Sequence, residues 1–208
     1  MSKSAERMVT EQLLPNGVTD ERVLSVMSTI PREEFLPGGL RRYAYDNRAL
    51  SIDCGQTISQ PLVVALMTQA LKPQPEDVAL EVGAGSGYQA AVLSRLCKKV
   101  TTLEREPALA EHASETLTRL GFANVEVAVA DGTLGWPASA PYDIILVACA
   151  APEVPPALIE QLASGGRLVI PLGRASDEHQ DLRLYRRDED KLSSTSLFPV
   201  RFVPLRTG

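Results

Sequence analysis

Val78-Ala79-Leu80-Glu81-Val82-Gly83-Ala84-Gly85-Ser86-Gly87-Tyr88 is the stretch that decides the fold. Its first residues form an apolar run of strand length, its glycines make a tight turn, and Tyr88 opens a helix-like run that reaches Cys97. Strand, glycine loop and helix in that order form the opening unit of an open α/β sheet. The alternation continues outward. Strands are expected at Val78–Val82, Lys99–Leu103, Val125–Val129, Tyr142 to Ala148 and Arg167–Ile170, with helices over Tyr88–Cys97, Pro107–Leu120 and Pro155–Leu162 between them. Near-continuous apolar strands separated by helices predict a mostly parallel sheet covered on both faces. After Gly173, Leu182–Tyr185 and Val200–Val203 are β-rich with no clear helix between them, which predicts a terminal antiparallel pair.

Upstream of Val78 the texture differs and reads as helices and loops. Thr19-Asp20-Glu21 is a helix start, with Val23, Leu24, Val26, Met27 and Ile30 as apolar positions and Pro31 as the stop. Pro37-Gly38-Gly39 is a turn. Pro61 opens a further helix whose apolar face carries Leu62, Val63, Leu66, Met67, Ala70 and Leu71 before Pro73. The expectation is one domain over 1–208, divided into a helical N-terminal segment (1–77) and an α/β core (78–208).

The 208 residues carry a formal net charge of -5, with no basic stripe, which argues against nucleic acid as a partner. Arg41-Arg42 and Arg186-Arg187 read as solvated surface. Cys54, Cys97 and Cys149 show no CxxC spacing, so neither a zinc site nor a disulfide framework is expected. The N-terminal stretch has no apolar core of a signal peptide, and no apolar run reaches the roughly 18 residues of a membrane span, so the expected location is the cytoplasm. No coiled-coil heptad is evident, and a monomer is expected.

The glycine spacing speaks to the ligand. In Gly83-x-Gly85-x-Gly87, Tyr88 displaces the third glycine of the dinucleotide fingerprint, and no GK[ST] ending makes a phosphate loop. Glu104 follows the second strand about 20 residues on, where a carboxylate accepts ribose hydroxyls; its plain alternative is a helix-start charge. Asp131-Gly132 follows the third strand, where it could read an adenine edge or simply turn the chain. Glycine loop, Glu104 and Asp131 at three successive strand ends favour S-adenosylmethionine.

One further segment is more specific. Gly55-Gln56-Thr57-Ile58-Ser59-Gln60-Pro61 resembles the signature of the protein-L-isoaspartate O-methyltransferase family. The resemblance extends through Ile30-Pro31-Arg32, Phe35-Leu36-Pro37, Glu81 to Gln89, Asp131-Gly132-Thr133, Pro141-Tyr142-Asp143 and Phe198 to Leu205. It implies a Rossmann-like class I S-adenosylmethionine-dependent methyltransferase. The implied reaction methylates the free carboxylate of L-isoaspartyl, and by extension D-aspartyl, residues in damaged proteins and peptides. The methyl ester then closes to a succinimide whose hydrolysis returns some normal aspartate. It implies Ser59 as the active-site serine, with Gln56, Thr57 and Ser59 toward substrate. Ile58, Glu81, Gly83, Gly85, Ser86, Gly87, Glu104, Asp131 and Gly132 fall toward cofactor.

Physically, a carboxylate with a pKa near 4 is already ionised at neutral pH and needs no general base. Ser59 is assigned as a hydroxyl donor that orients it, and the alternative for the Thr/Ser/Gln cluster is an N-cap of the helix opening at Pro61. His112 and His179 read as surface residues. Cys54 stands where the family usually has His, Ala49-Leu50-Ser51 replaces a proline-containing approach, and Arg206 is inserted before Thr207-Gly208. Competing functions are a methyltransferase dedicated to one peptide aspartate, an inactive cofactor-binding module and a small-molecule methyltransferase.

Overall fold

The computed structural model describes residues 3–174, 176–189 and 191–206. Helix α1 (Lys3–Arg7) runs on through a π-helical stretch (Met8–Leu13) and a 3-10 turn (Leu14–Asn16), closed by Gly17 at φ 88°. Helix α2 (Glu21–Thr29) starts where the sequence indicates, because the Asp20 carboxylate accepts the N–H groups of Arg22 and Val23. Pro37-Gly38-Gly39 leads into a 3-10 stretch (Gly38–Tyr43) instead of a simple turn. The reading of this region as helices and loops misses a small hairpin. Strand β1 (Leu50–Ser51) pairs antiparallel with β2 (Thr57–Ile58), so part of the Gly55–Pro61 signature is extended chain. Helix α3 (Pro61–Leu71) follows, with Pro61 in its first turn.

The α/β core then runs β3 (Val78–Val82), α4 (Tyr88–Ser94), β4 (Lys99–Glu104), α5 (Pro107–Arg119), β5 (Val125–Val129), β6 (Tyr142–Val147), α6 (Pro156–Glu160), β7 (Leu162–Leu172), β8 (Gln180–Asp188) and β9 (Lys191–Val200). The seven strands lie in the order β5-β4-β3-β6-β7-β8-β9, parallel as far as β7 and antiparallel for the last two pairings. Both faces are covered. Along β6, Ile144 and Leu146 join one core cluster with Met27, Phe35 and Tyr88, while Ile145 and Val147 join the other with Leu80, Leu158 and Leu168. That alternation is the period of a strand buried on both sides. Met8, Val23 and Met27 sit in the same cluster as Val92 and Val100, so the N-terminal segment shares its core with the sheet.

Three elements differ from the sequence expectation. Strand β7 begins at Leu162, where the predicted helix was still running, and α6 stops at Glu160. The last strand is Lys191–Val200, not Val200–Val203. Its residues up to Ser196 are exposed on both sides, so a polar, serine-rich edge strand carries no apolar period to read. Residues Arg201–Val203 leave the sheet altogether.

Two polar ties hold the sheet in place beneath the site. The Val78 N–H donates to Asp143 Oδ2 at 2.8 Å, which gives Asp143 a structural task. Arg167 on β7 donates to the Leu71 carbonyl at the end of α3 (2.9 Å) and to Asp77 Oδ2 ahead of β3 (2.6 Å).

Candidate functional site

Between β3 and β6 the chain reverses the direction in which it adds strands, and a crevice opens there beyond the strand ends. The glycine loop lies across it. Gly83, Gly85 and Gly87 all have positive φ (95°, 52° and 86°), a backbone form that side chains resist. The N–H groups of Gly83 and Ala84 both donate to the Leu103 carbonyl, at 2.8 and 3.0 Å, and the Gly85 N–H donates to Glu104 Oε2 at 2.9 Å. The loop is therefore fastened to the end of β4. Gly87 does not line the crevice; it serves the turn into α4, where a Cβ would press on Ala113 and Leu117 of α5 at 3.3 Å.

Glu104 is buried at the tip of β4. Its Oε1 accepts the N–H groups of Arg105 (2.9 Å) and Glu106 (3.1 Å), so the carboxylate is held by three backbone amides in all. It lines the crevice with Val82, Gly83, Gly85, Leu103, Ala130, Gly132, Ala148, Cys149 and, from the signature segment, Gln56 and Thr57. Asp131 does not line it. Its Oδ1 accepts from Thr133 N (2.9 Å) and Thr133 Oγ1 (2.7 Å), capping the short 3-10 turn Gly132–Leu134. Gly132 is required by close approach, since a Cβ there would meet Val82 Cγ1 at 2.3 Å.

Deeper in, a second hollow is lined by Ile58, Ser59, Glu81, Ser86, Tyr88, Gln89, Leu146, Ala148 and Phe202. Glu81 is fully buried. Thr102 Oγ1 donates to its Oε2 at 2.6 Å, while Oε1 has no partner among the described residues. Burial pushes its carboxyl up to about 8; the Thr102 bond opposes this and the Glu104 charge adds to it.

Ser59 stands between the two spaces. It lines the inner hollow and also an outer groove of about 680 Å³, bounded by Leu62, Val63 and Leu66 of α3 and by Phe198 to Val203 of the tail. Thr57 and Ala148 border crevice, hollow and groove alike. The capping alternative for this cluster fails, because the cap position of α3 is Gln60 and its side chain makes no cap bond. Asn47 Oδ1 instead accepts the Leu62 N–H at 3.3 Å. The Ser59 hydroxyl makes no hydrogen bond among the described residues, whereas its carbonyl accepts from Arg32 Nη2 at 2.7 Å.

The residues that sequence reasoning missed come from the tail. Val203 to Arg206 close one side of the crevice, fixed by the Ala150 N–H to Val203 O (2.8 Å) and the Leu205 N–H to Ala150 O (2.7 Å). Gln180, buried, accepts the Phe202 N–H at 2.7 Å. Arg206 reaches Glu106 at 4.0 Å across the rim. Ala148 and Cys149 were also missed, although they follow β6 at the strand end beside β3, the same rule that selects Glu104. Cys54 is exposed on a turn at φ 56° and lines neither crevice nor groove. Cys97 and Cys149 are buried, and burial raises both thiols, Cys97 to about 12. His112 and His179 are exposed, with His179 at the groove's edge. Among the described residues no cluster of His, Cys, Asp or Glu could hold a metal ion, and no helix is long and apolar enough to cross a membrane.

Comparison with known proteins agrees with this geometry. The family model described as protein-L-isoaspartate(D-aspartate) O-methyltransferase matches residues 3–208. A Pelobacter propionicus protein named protein-L-isoaspartate O-methyltransferase 2 is 51% identical over 96% of this chain and 89% of its own length. A Methanoregula boonei protein named protein-L-isoaspartate O-methyltransferase is 50% identical over 98% and 93%. A solved structure of that name has a TM-score of 0.88 at 31% identity, covering 98% of this chain and 66% of that one. A Plasmodium falciparum structure, described as a candidate enzyme of the same kind in complex with S-adenosyl-L-homocysteine, has a TM-score of 0.83 at 25% identity, covering 99% of each chain.

Proposed function

We infer the activity from the premise that this chain belongs to the protein-L-isoaspartate(D-aspartate) O-methyltransferase family. It transfers the methyl group of S-adenosylmethionine to the free carboxylate of L-isoaspartyl residues in damaged proteins and peptides.

The residues present fit that cofactor. Gly83 and Gly85 leave the crevice floor free of side chains, and Glu104 is immobilised at its edge with lone pairs left to accept hydroxyls. The unpartnered Glu81 Oε1 in the inner hollow suits a ligand that carries positive charge. Glu81, Glu104, Gly83, Gly85, Ser86, Gly132 and Ile58 are the positions we assign to holding it. Gly87 and Asp131 act indirectly, through the turn into α4 and the turn after β5.

The observation that carries the substrate assignment is the uncommitted Ser59 hydroxyl at the junction of hollow and groove. S-adenosylmethionine supplies, when bound, a methyl group on a positively charged sulfur, reactive enough for a carboxylate to take it directly. The chain's task is then placement. Ser59 Oγ donates to one carboxylate oxygen and leaves the other free to react. Thr57 borders all three spaces and supports the same group from the crevice side. The eleven-residue helix α3 opens beside Ser59, and its N-terminal end favours an anion there. Ile58, Leu146, Ala148 and Phe202 keep water from the hollow. No residue needs to act as base, in keeping with two exposed histidines that lie away from the hollow.

The test is labelled S-adenosylmethionine with a matched pair of peptides, one isoaspartyl and one aspartyl. Label should enter the isoaspartyl peptide alone, and equal labelling of both would sink the assignment. Ser59→Ala should lower turnover by about 10- to 100-fold while cofactor affinity stays within about threefold, as for a group that acts on placement. Equal losses of both would move Ser59 to the cofactor.

A further inference from the structure

Arg32 is completely buried, although arginine is among the residues least often found inside. Its Nε donates to the Ala44 carbonyl at 2.7 Å and its Nη2 to the Ser59 carbonyl at 2.7 Å. The guanidinium lies 4.5 Å over the centre of the Tyr88 ring, and Tyr88 is the first residue of α4, directly after the glycine loop. Among the described residues Nη1 has no hydrogen-bond partner and no carboxylate pairs with this cation. A buried charge without a counter-ion is expensive, and an apolar side chain of that size would stabilise the core more. Stability alone does not explain the residue.

We propose that Arg32 is a positioning residue that sets the distance between Ser59 and the glycine loop. It does so by gripping the backbone of one and stacking on the first side chain after the other. The planar fork spans two carbonyls at a fixed spacing, which a lysine ammonium cannot copy. It holds the Ser59 main chain and leaves the Ser59 hydroxyl free, which is the arrangement a carboxylate-orienting serine needs. Phe35 also packs edge-on to Tyr88, at 5.4 Å between ring centres, as core filling with no hold on either carbonyl. The second carbonyl, from Ala44, belongs to the chain just ahead of Asn47, whose side chain caps α3. One guanidinium thus joins the two segments flanking Ser59 to the loop assigned to the methyl donor. An error of about 1 Å in such placement can lower turnover by about a hundredfold.

The inference rests on the role assigned to Ser59. Its test compares Arg32→Lys with Phe35→Leu, a packing change beside Tyr88 that does not touch Ser59. Turnover and KM on the isoaspartyl peptide, cofactor Kd by calorimetry and thermal midpoint are measured for both. Arg32→Lys should lower kcat by about 10- to 100-fold with cofactor Kd held within about threefold. Phe35→Leu should lose thermal stability and keep kcat within about threefold. Arg32→Ala should regain part of its turnover when guanidinium is added at sub-denaturing concentration. Folded Arg32→Lys with wild-type kcat overturns the inference, as does a Phe35→Leu protein that loses as much kcat. Failure of both Arg32 variants to fold also overturns it, because Arg32 is then a folding residue first. Wild-type protein that labels neither peptide sinks the substrate assignment itself, which separates the two failures.

Discussion

Replacing Glu81 with glutamine tests the buried hollow through a proton. Glu81 is fully buried and its carboxyl is raised to about 8 from an ordinary 4.5, so the folded, cofactor-free protein holds it protonated at neutral pH. The unfolded chain gives that proton up near 4.5, and between the two values the folded state binds more protons than the unfolded one. Stability must then fall as pH rises across that window. The bias toward folding is complete below its lower end and gone above its upper end. The slope approaches about 1.4 kcal/mol per pH unit, and from about pH 6 to about pH 8 the loss amounts to about 2 kcal/mol.

Glu81→Gln has no proton to lose and still offers an oxygen to the Thr102 hydroxyl. Urea denaturation of both proteins without cofactor, at several pH values in that range, isolates the effect because other groups cancel in the difference. The difference should move in favour of E81Q by about 2 kcal/mol as pH rises. A difference that stays flat refutes the reasoning and makes Glu81 an ordinary ionised carboxylate. The same group should report the cofactor. A cationic ligand draws the proton off, so binding near pH 7 should release up to about one proton, read from calorimetric heats in buffers of different ionisation enthalpy. E81Q should release less.

Glu104→Ala should weaken cofactor binding by about 1.5–3 kcal/mol, the range for a charged acceptor, and also lower stability, because three backbone amides lose their partner. Unchanged calorimetric affinity would remove Glu104 from the site. Gly132→Ala drives a methyl into Val82 and should cost about 1–3 kcal/mol in denaturant unfolding while narrowing the crevice; wild-type stability and affinity together would contradict the packing. Arg167→Ala leaves the buried Asp77 with no cation and only the Gln74 N–H, and should cost about 2–3 kcal/mol, below the range for a fully buried pair because Arg167 keeps 19% side-chain exposure. A loss under about 0.5 kcal/mol would place the pair with surface bridges.

Legibility followed burial. Val78–Val82 is a strand with the bounds its apolar run predicts, since a parallel strand covered on both faces leaves an unbroken signal. Val125–Val129, a half-exposed edge strand, keeps its predicted bounds through its valines. The hairpin at Leu50–Ile58 escaped because two-residue strands are shorter than any period. Lys191–Val200 escaped because an exposed edge strand can be all serine and threonine. Val200–Val203 misled for the opposite reason: the run is β-rich, but its polar groups bond to a Gln180 side chain and to Ala150 instead of a neighbouring strand. Within the site, Glu104 was readable from its distance to the loop. Asp131 was readable either as a reader of an adenine edge or as a turn residue, and its Oδ1 bonds to Thr133 make the turn visible. Arg32 could not be read as an interior residue from one sequence, because nothing in Pro31-Arg32-Glu33 marks that arginine as buried.

The tail that crosses the crevice has a consequence for how the molecule comes into being. Its hollow is walled by Ile58 and Ser59 and, more than 140 residues further along the chain, by Phe202, with Val203 to Arg206 flanking the crevice beside it. A ribosome making this chain has exposed the glycine loop and Ser59 long before Phe202 leaves the exit tunnel. Until then the inner hollow lacks a wall, and Gln180 and Ala150 lack the backbone partners that hold the tail down. A chain made only as far as Gln180 is therefore no half-active enzyme, and methyl transfer begins only once Phe202 has closed the hollow.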